Sequence, residues 1–400
     1  MTRKPLLLVE LSPSGGLFQF AFELGSALAA RGERVELWTG PRPEMVSSQP
    51  GFVVRPVLPT WHPADVRVRS RPFRLMRRAL RAAQLVLAWV VLSLRLVVAR
   101  PYAVLWSQWR FSFEPMFVVA LSKLLTGTLF GLIAHEPLPR SDAKDTSSPK
   151  TGGLVTGAFG AAWRSLDVAF TLGPRTRELA VQHWEPRCPV YLIPHGPEPG
   201  LRGPDIRVVP VTETEPVALF FGVWTKYKGI DVLLDAFALV RRELPEARLV
   251  LAGTVGADLD IDHVLERARE VGNVDARSGY VPIDEVAPLL NSARVVVTPY
   301  IRATQSGVAH LAYTFGRPVV ATATGDLPES VRDGVTGLLV EPGNSAELAN
   351  AMLKLLADPR LAAQLGESGE RSVAGAWAAA AATICEALTR AGGGNAAISS

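Results

Sequence analysis

Short apolar runs alternate along the whole chain with longer stretches in which apolar residues recur at every third or fourth position. The short runs read as strands buried on both faces, and the longer stretches read as amphipathic helices laid over them. Strands are expected at 6–9, 35–38, 104–106, 132–134, 168–171 and 191–193 in the first half. In the second half they are expected at 218–221, 248–252, 295–298, 319–321 and 338–340. Between them, Leu17, Phe20, Ala21, Leu24 and Leu28 share one helical stripe, as do Ile230, Leu233, Leu234, Phe237 and Val240. Gly32 and Pro245 mark where those two helices stop. The class is α/β, with parallel sheets covered by helices.

At 400 residues the chain exceeds what one core organises, and two doubly wound, Rossmann-like domains facing a cleft are the simplest reading. Five prolines between 197 and 216 mark a linker. The expected division is a first domain at 1–197, a linker at 198–216 and a second domain at 217–370, whose acceptor- and donor-binding roles are implied only by the family resemblance given below. A helix at 371–391 then returns to the first domain, and 392–400 form a disordered tail. The segment 137–160 reads as a mobile surface loop from its Ser, Gly, Asp, Lys and Thr content.

A 48% hydrophobic and 20% charged composition excludes a disordered chain. The two cysteines, Cys188 and Cys385, have no metal-ligand or disulfide spacing, which fits a reducing cytoplasm. Only four apolar residues, Leu6 to Val9, precede Glu10, too few for a signal peptide. The nearly apolar run 85–99 contains Arg95 and falls short of the ~20 residues that span a bilayer.

The net charge is +4, yet ten arginines and no acidic residue fall between 66 and 113. Seven of them, Arg67, Arg69, Arg71, Arg74, Arg77, Arg78 and Arg81, lie just before the apolar run. That order suits a helix resting on anionic headgroups, with Arg74, Arg77, Arg78 and Arg81 as membrane contacts. It equally suits a solvated basic face followed by a buried helix. Nucleic acid is not expected as a partner, because no aromatic platform or recognition motif accompanies the charge.

Candidate chemistry gathers where strands give way to helices. Gly15 and Gly16 end the turn after the first strand and leave room for an anion at backbone N–H groups; they lack the spacing of a dinucleotide fingerprint. Lys226 and Lys228 stand in the turn from the strand at 218–221 into the next helix, whose positive end disfavours them unless an anion lies between. Thr304, Gln305, Ser306 and Gly307 offer hydroxyls, an amide and open backbone N–H groups between a strand and a helix. A diphosphate satisfies both groups.

These elements, in order, resemble the donor domain of retaining glycosyltransferase family 4, of the GT-B fold. The likeness covers about 215–360. It rests on Lys228-Gly229, Leu251-Ala-Gly-Thr254, Gly279-Tyr-Val, Pro299 to Pro318, Ala321-Thr-Ala-Thr-Gly-Asp-Leu-Pro-Glu329 and Gly334-Val-Thr-Gly-Leu-Leu-Val340. Looser matches in the first half are Gly15-Gly16, Ala134-His135-Glu136 and Ile193-Pro-His-Gly196.

The resemblance implies transfer of a sugar from a nucleotide-sugar donor, with retention, in bacterial polysaccharide or glycolipid assembly. It implies Thr254 among the donor-binding residues, His135 at the reacting sugar as a catalytic group and Glu136 on the acceptor side. Two glutamates eight positions apart are usual in the family; Ala303 and Leu311 stand there, the mark of a divergent branch. No aspartate cluster suggests a metal, so metal-independent departure of the nucleoside diphosphate is expected, with no further cofactor. His195 and His310 read as structural. The basic segment implies a lipid-linked or glycan acceptor met at the inner face of the membrane. A non-catalytic sugar-nucleotide-binding scaffold and a nucleotide-sugar epimerase of the same fold are the rival readings.

Overall fold

The computed structural model describes residues 4–65, 71–109, 111, 113–138, 153–202 and 206–398. It divides into a first unit, Met1–Pro194 with Trp377–Ser400, and a second unit, His195–Ala376.

The first unit carries a parallel sheet of β1 (Leu6–Val9), β2 (Val35–Trp38), β3 (Phe52–Arg55), β4 (Ala103–Trp106), β5 (Leu129–Ala134), β6 (Val168–Thr171) and β7 (Val190–Leu192). Their order across the sheet is β3-β2-β1-β4-β5-β6-β7. Leu6 pairs with Val35 on one side and Ala103 on the other, so the winding reverses between β1 and β4. Its helices are α1 (Gly16–Ala30), α2 (Arg71–Ala99), α3 (Glu114–Leu124), α4 (Gly153–Arg164) and α5 (Pro174–Trp184). The core beneath α2 is aromatic: Trp89 stacks on Trp106, and Trp106 on Phe130, at centroid distances of 6.3 and 5.5 Å.

The second unit begins with α6 (Pro199–Arg202) and winds β8 (Val217–Phe221), α7 (Ile230–Glu243), β9 (Arg248–Gly253), α8 (Ile261–Val271), β10 (Val274–Ser278), α9 (Ile283–Ser292) and β11 (Val295–Thr298). It continues with α10 (Gly307–Thr314), β12 (Val319–Thr322), α11 (Leu327–Ser330), β13 (Gly337–Val340), α12 (Ser345–Ala357) and α13 (Pro359–Val373). The parallel sheet runs β10-β9-β8-β11-β12-β13, and its winding reverses between β8 and β11. Arg317, fully buried, donates to the carbonyls of Leu290, Asn291 and Ala293, which satisfies the end of α9. Burial pushes its guanidinium down to about 10.

Two strands escape the sequence reading, β3 and β10. Both are sheet edges, and only Phe52 of their nine residues is buried, so neither shows an apolar run. The described residues of 198–216 belong to the second unit, through α6 and the buried Leu201 and Val211. The final helix, α14 (Ala376–Ile398), belongs from Trp377 onward to the first unit. It runs past Gly392 to Ile398, where a disordered tail is expected; each residue added to an anchored helix fixes one more hydrogen bond. Of the loop expected at 137–160, residues 139–152 lie outside the described residues, and Gly153 onward is helical. Arg67 and Arg69 also lie outside them.

Candidate functional site

In the second unit the reversal of winding sets two loops side by side. The loop after β8 holds the lysines, and the loop after β11 holds Pro299 to Ser306, at the carboxyl ends of adjacent strands. They are clamped together. Ile301 N–H donates to the Tyr227 carbonyl at 2.8 Å, and Gly229, at φ +69°, lies so close to the Pro299 carbonyl that a Cβ would sit 2.0 Å from it.

Lys228 Nζ donates to Tyr300 Oη at 3.3 Å and lies 4.7 Å from the centre of that ring. Tyr300 is buried, and its hydroxyl is 3.1 Å from Ser306 Oγ. Ser306 in turn caps α10 by accepting from Val308 N–H. If Tyr300 accepts from Lys228 and donates to Ser306, the Ser306 hydroxyl accepts twice, from Tyr300 and from Val308 N–H. The lysine charge, the serine hydroxyl and the helix amino terminus then lie together, a combination that suits an anion.

The remaining donor-side candidates divide. Lys226 is exposed, and its N–H donates to Asp258. Thr254 is exposed, and its carbonyl accepts from Trp224 N–H at 2.8 Å. Thr304 and Gln305 are half-buried. The Thr304 carbonyl accepts from Asp326 N–H, and Gly325 packs against the Ala303 carbonyl, so the turn after β12 pins the donor loop from behind.

Of the two positions where glutamates were expected, Leu311 lies in the core with Ala309 and Phe315, where a carboxylate would be buried among apolar groups. Ala303 is partly buried. Three buried groups unread as ligands flank Gly307 instead. A Cβ on Gly307 would lie 3.5 Å from His195 Nε2 and 3.9 Å from Glu198 Oε1, and His195 packs on His310 at 4.3 Å. Desolvation pushes His310 down to about 4, so it is neutral at physiological pH.

In the first unit, His135 leaves β5 buried, its ring edge-on to Phe20 at 4.6 Å. Gln108, after β4, holds the backbone here: its Oε1 accepts from the N–H groups of His135 and Glu136, and its Nε2 donates to the Glu136 carbonyl at 2.7 Å. Glu136 is half-buried. Gly15 and Gly16 open α1 with free space around them, but Gly15 N–H already donates to the Glu44 carboxylate at 3.0 Å. Burial raises the Glu44 carboxyl above the usual range. An anion at α1 therefore meets a position the protein's own carboxylate has taken. Neither Gln108 nor Glu44 carries a local sequence signal, because each acts on a residue distant in the chain.

Of the arginine group, Arg77 and Arg81 are half-buried, and the Arg81 guanidinium lies over Trp61 at 4.6 Å. Both lean on the unit rather than extending clear of it. The side chains of Arg74 and Arg78 lie outside the described residues. Among the described residues no three His, Cys, Asp or Glu side chains gather as a metal site.

Residues 215–358 match the family described as Glycosyl transferases group 1. The D-inositol 3-phosphate glycosyltransferase of Corynebacterium aurimucosum is 34% identical over 175 residues, covering 42% of this chain and 41% of that protein. The chain thus matches less than half the length of this curated relative. Among solved structures, sucrose-phosphate synthase from Thermosynechococcus elongatus superposes with a TM-score of 0.68 at 21% identity, covering 97% of this chain and 99% of the other. Anabaena HepE in complex with UDP and glucose gives 0.65 at 16%, covering 97% and 100%. The fold is that of these GT-B glycosyltransferase neighbours: two Rossmann-like α/β units. The matched part of the second unit carries the group 1 glycosyltransferase signature.

Proposed function

We propose that this protein transfers a glycosyl group from a nucleotide sugar to an acceptor hydroxyl, with retention of configuration. The observation that carries the reading is the Lys228–Tyr300–Ser306 chain, which joins a cation and a hydroxyl at the amino terminus of α10. Charge that develops on a departing nucleoside diphosphate meets donors already in place, so their orientation costs nothing at the moment of reaction. No metal is assigned a part. Lys228 and Ser306 bind the diphosphate, Lys226 adds a weaker outer charge, and Thr304, Gln305 and the Gly307 backbone hold the sugar and phosphate oxygens.

His135 is assigned to the acceptor side of the reaction, where it donates to a sugar hydroxyl or takes the acceptor's proton. Its backbone is fixed by Gln108, and Glu136 shares that clamp. The acceptor is a lipid-linked sugar or glycan at the inner face of the cell membrane, in bacterial polysaccharide or glycolipid synthesis. A phosphorylated cyclitol, the acceptor named for the relatives, is the soluble alternative.

The test begins with a thermal-shift panel of nucleotide sugars, UDP-glucose first, followed by assay of nucleoside diphosphate release with and without acceptor. Acceptor-dependent release is the expected result. Binding without release identifies a sugar-nucleotide-binding scaffold, and release without acceptor points to hydrolysis or epimerisation. No shift with any nucleotide sugar removes the reading.

A further inference from the structure

The helix α2 has two apolar faces. Leu85, Ala88, Trp89, Leu92 and Leu96 are buried and fix one face to the first unit. Met76, Leu80, Leu87, Val90, Leu94 and Val98 form a second stripe, each between 41% and 85% exposed. At 100° per residue these six fall within about 40° of one line, diametrically opposite the buried face. The stripe is about 33 Å long at 1.5 Å per residue from 76 to 98. A helix on the surface of a soluble unit turns polar residues outward; here the polar residues sit between the faces. Gln84 donates to the Thr60 carbonyl, Ser93 to the Trp89 carbonyl, and Arg81 covers Trp61. Beside α2, α3 adds the exposed Met116 and Leu124.

We propose that this stripe is the membrane-docking surface: α2 lies flat in the headgroup boundary of an anionic bilayer, with its outer face entering the hydrocarbon. The stretch Ala79–Ala99 is long and apolar enough, by length and composition, to cross a membrane. The buried face argues for lying flat, since Trp89, Leu92 and Leu96 already serve the unit's core.

Charge selects the occupant. Residues 66 to 113 hold ten arginines and no acid, so a second copy laid along the stripe would bring like charges together with no carboxylate between them. Anionic headgroups complement the exposed Arg95 and Arg100 at the end of the helix. Attachment then rests chiefly on apolar insertion, and the described arginines Arg77 and Arg81, folded against the unit, contribute little. The docking deepens the membrane part of the function proposed above and does not depend on the donor reaction.

The experiment is flotation of the full chain with phosphatidylcholine–phosphatidylglycerol vesicles at low and high salt, beside the double variant Leu87→Glu/Leu94→Glu. Both positions are more than half exposed, so the variant keeps its fold, checked by circular dichroism and by UDP affinity. Wild type should float at both salt levels. The variant's partition should fall at least about 30-fold, the loss expected when two leucines no longer enter hydrocarbon. Flotation that vanishes at high salt, equal flotation of the variant, or a wild-type dimer in light scattering that the variant dissociates would each overturn the proposal. Intact UDP binding with failed flotation sinks this inference alone; the reverse sinks the donor reading alone.

Discussion

Replacing Tyr300 by Phe removes one oxygen and keeps the ring against the Lys228 ammonium. That oxygen links Lys228, at 3.3 Å, to Ser306, at 3.1 Å. A charge-assisted contact from Lys228 to a diphosphate is worth about 1.5–3 kcal/mol, so Lys228→Ala should weaken UDP binding roughly 10- to 150-fold. Tyr300→Phe forfeits only the orientation of two donors, about 1 kcal/mol, or roughly fivefold. The two effects should not multiply. Once Lys228 is gone, most of what the tyrosine hydroxyl orients has gone with it, and a coupling of about 1 kcal/mol is expected in the double variant. Isothermal titration with UDP on wild type, both single variants and the double variant gives the full cycle, with melting temperatures to show that each is folded. If the double variant binds more weakly by the product of the single effects, Tyr300 does not position Lys228 and the hydrogen-bond chain has no part in recognition.

Three further outcomes are expected. His135→Ala should leave UDP affinity unchanged and lower the transfer rate by about 10²–10⁴-fold, read from acceptor-dependent nucleoside diphosphate release; equal loss in both removes the catalytic assignment. Gly229→Ala forces a left-handed residue onto the Pro299 carbonyl and should lower the melting temperature by roughly 4–8 °C or more while abolishing UDP binding. For His310, the folded value of about 4 lies below the ordinary 6.5, so the unfolded chain takes the proton first. Its stabilising contribution is complete above about pH 6.5 and is lost as pH falls toward 4, up to about 3 kcal/mol. Denaturant titrations across that window should show a shallower pH slope for His310→Leu than for wild type.

The inner strands were legible because burial on both faces writes a continuous apolar run, as in Leu6–Val9 and Ala103–Trp106. Edges such as Val274–Ser278 were not, since half-exposed strands need no such run. Lysines and glycines beside strand ends marked the loop after β8 as a candidate anion site, and the structure sets that loop against the one after β11. Tyr300 was hidden within the same loop, for its role depends on Lys228, a partner 72 positions away. Gln108 and Glu44 were hidden for the same reason. Of the arginine run, the sequence shows the charge and the structure shows the packing of Arg77 and Arg81. Composition reveals that a helix is basic, but only packing shows Arg81 turned onto Trp61 while leucines face outward.

The return of α14 sets an order of events in synthesis. Trp377 packs edge-on to Phe20 at 5.0 Å, and Phe20 leaves the ribosome long before it. The segment His195–Ala376 is contiguous and holds its own core, so nothing prevents it from closing while the chain is still growing. The first unit, begun earlier, lacks one wall until α14 emerges. The first unit is therefore completed after the second, and the Phe20–Trp377 contact forms later than the Phe20–His135 one can. A chain that ends before Trp377 would carry a complete second unit and a first unit whose apolar face against α14 stays open.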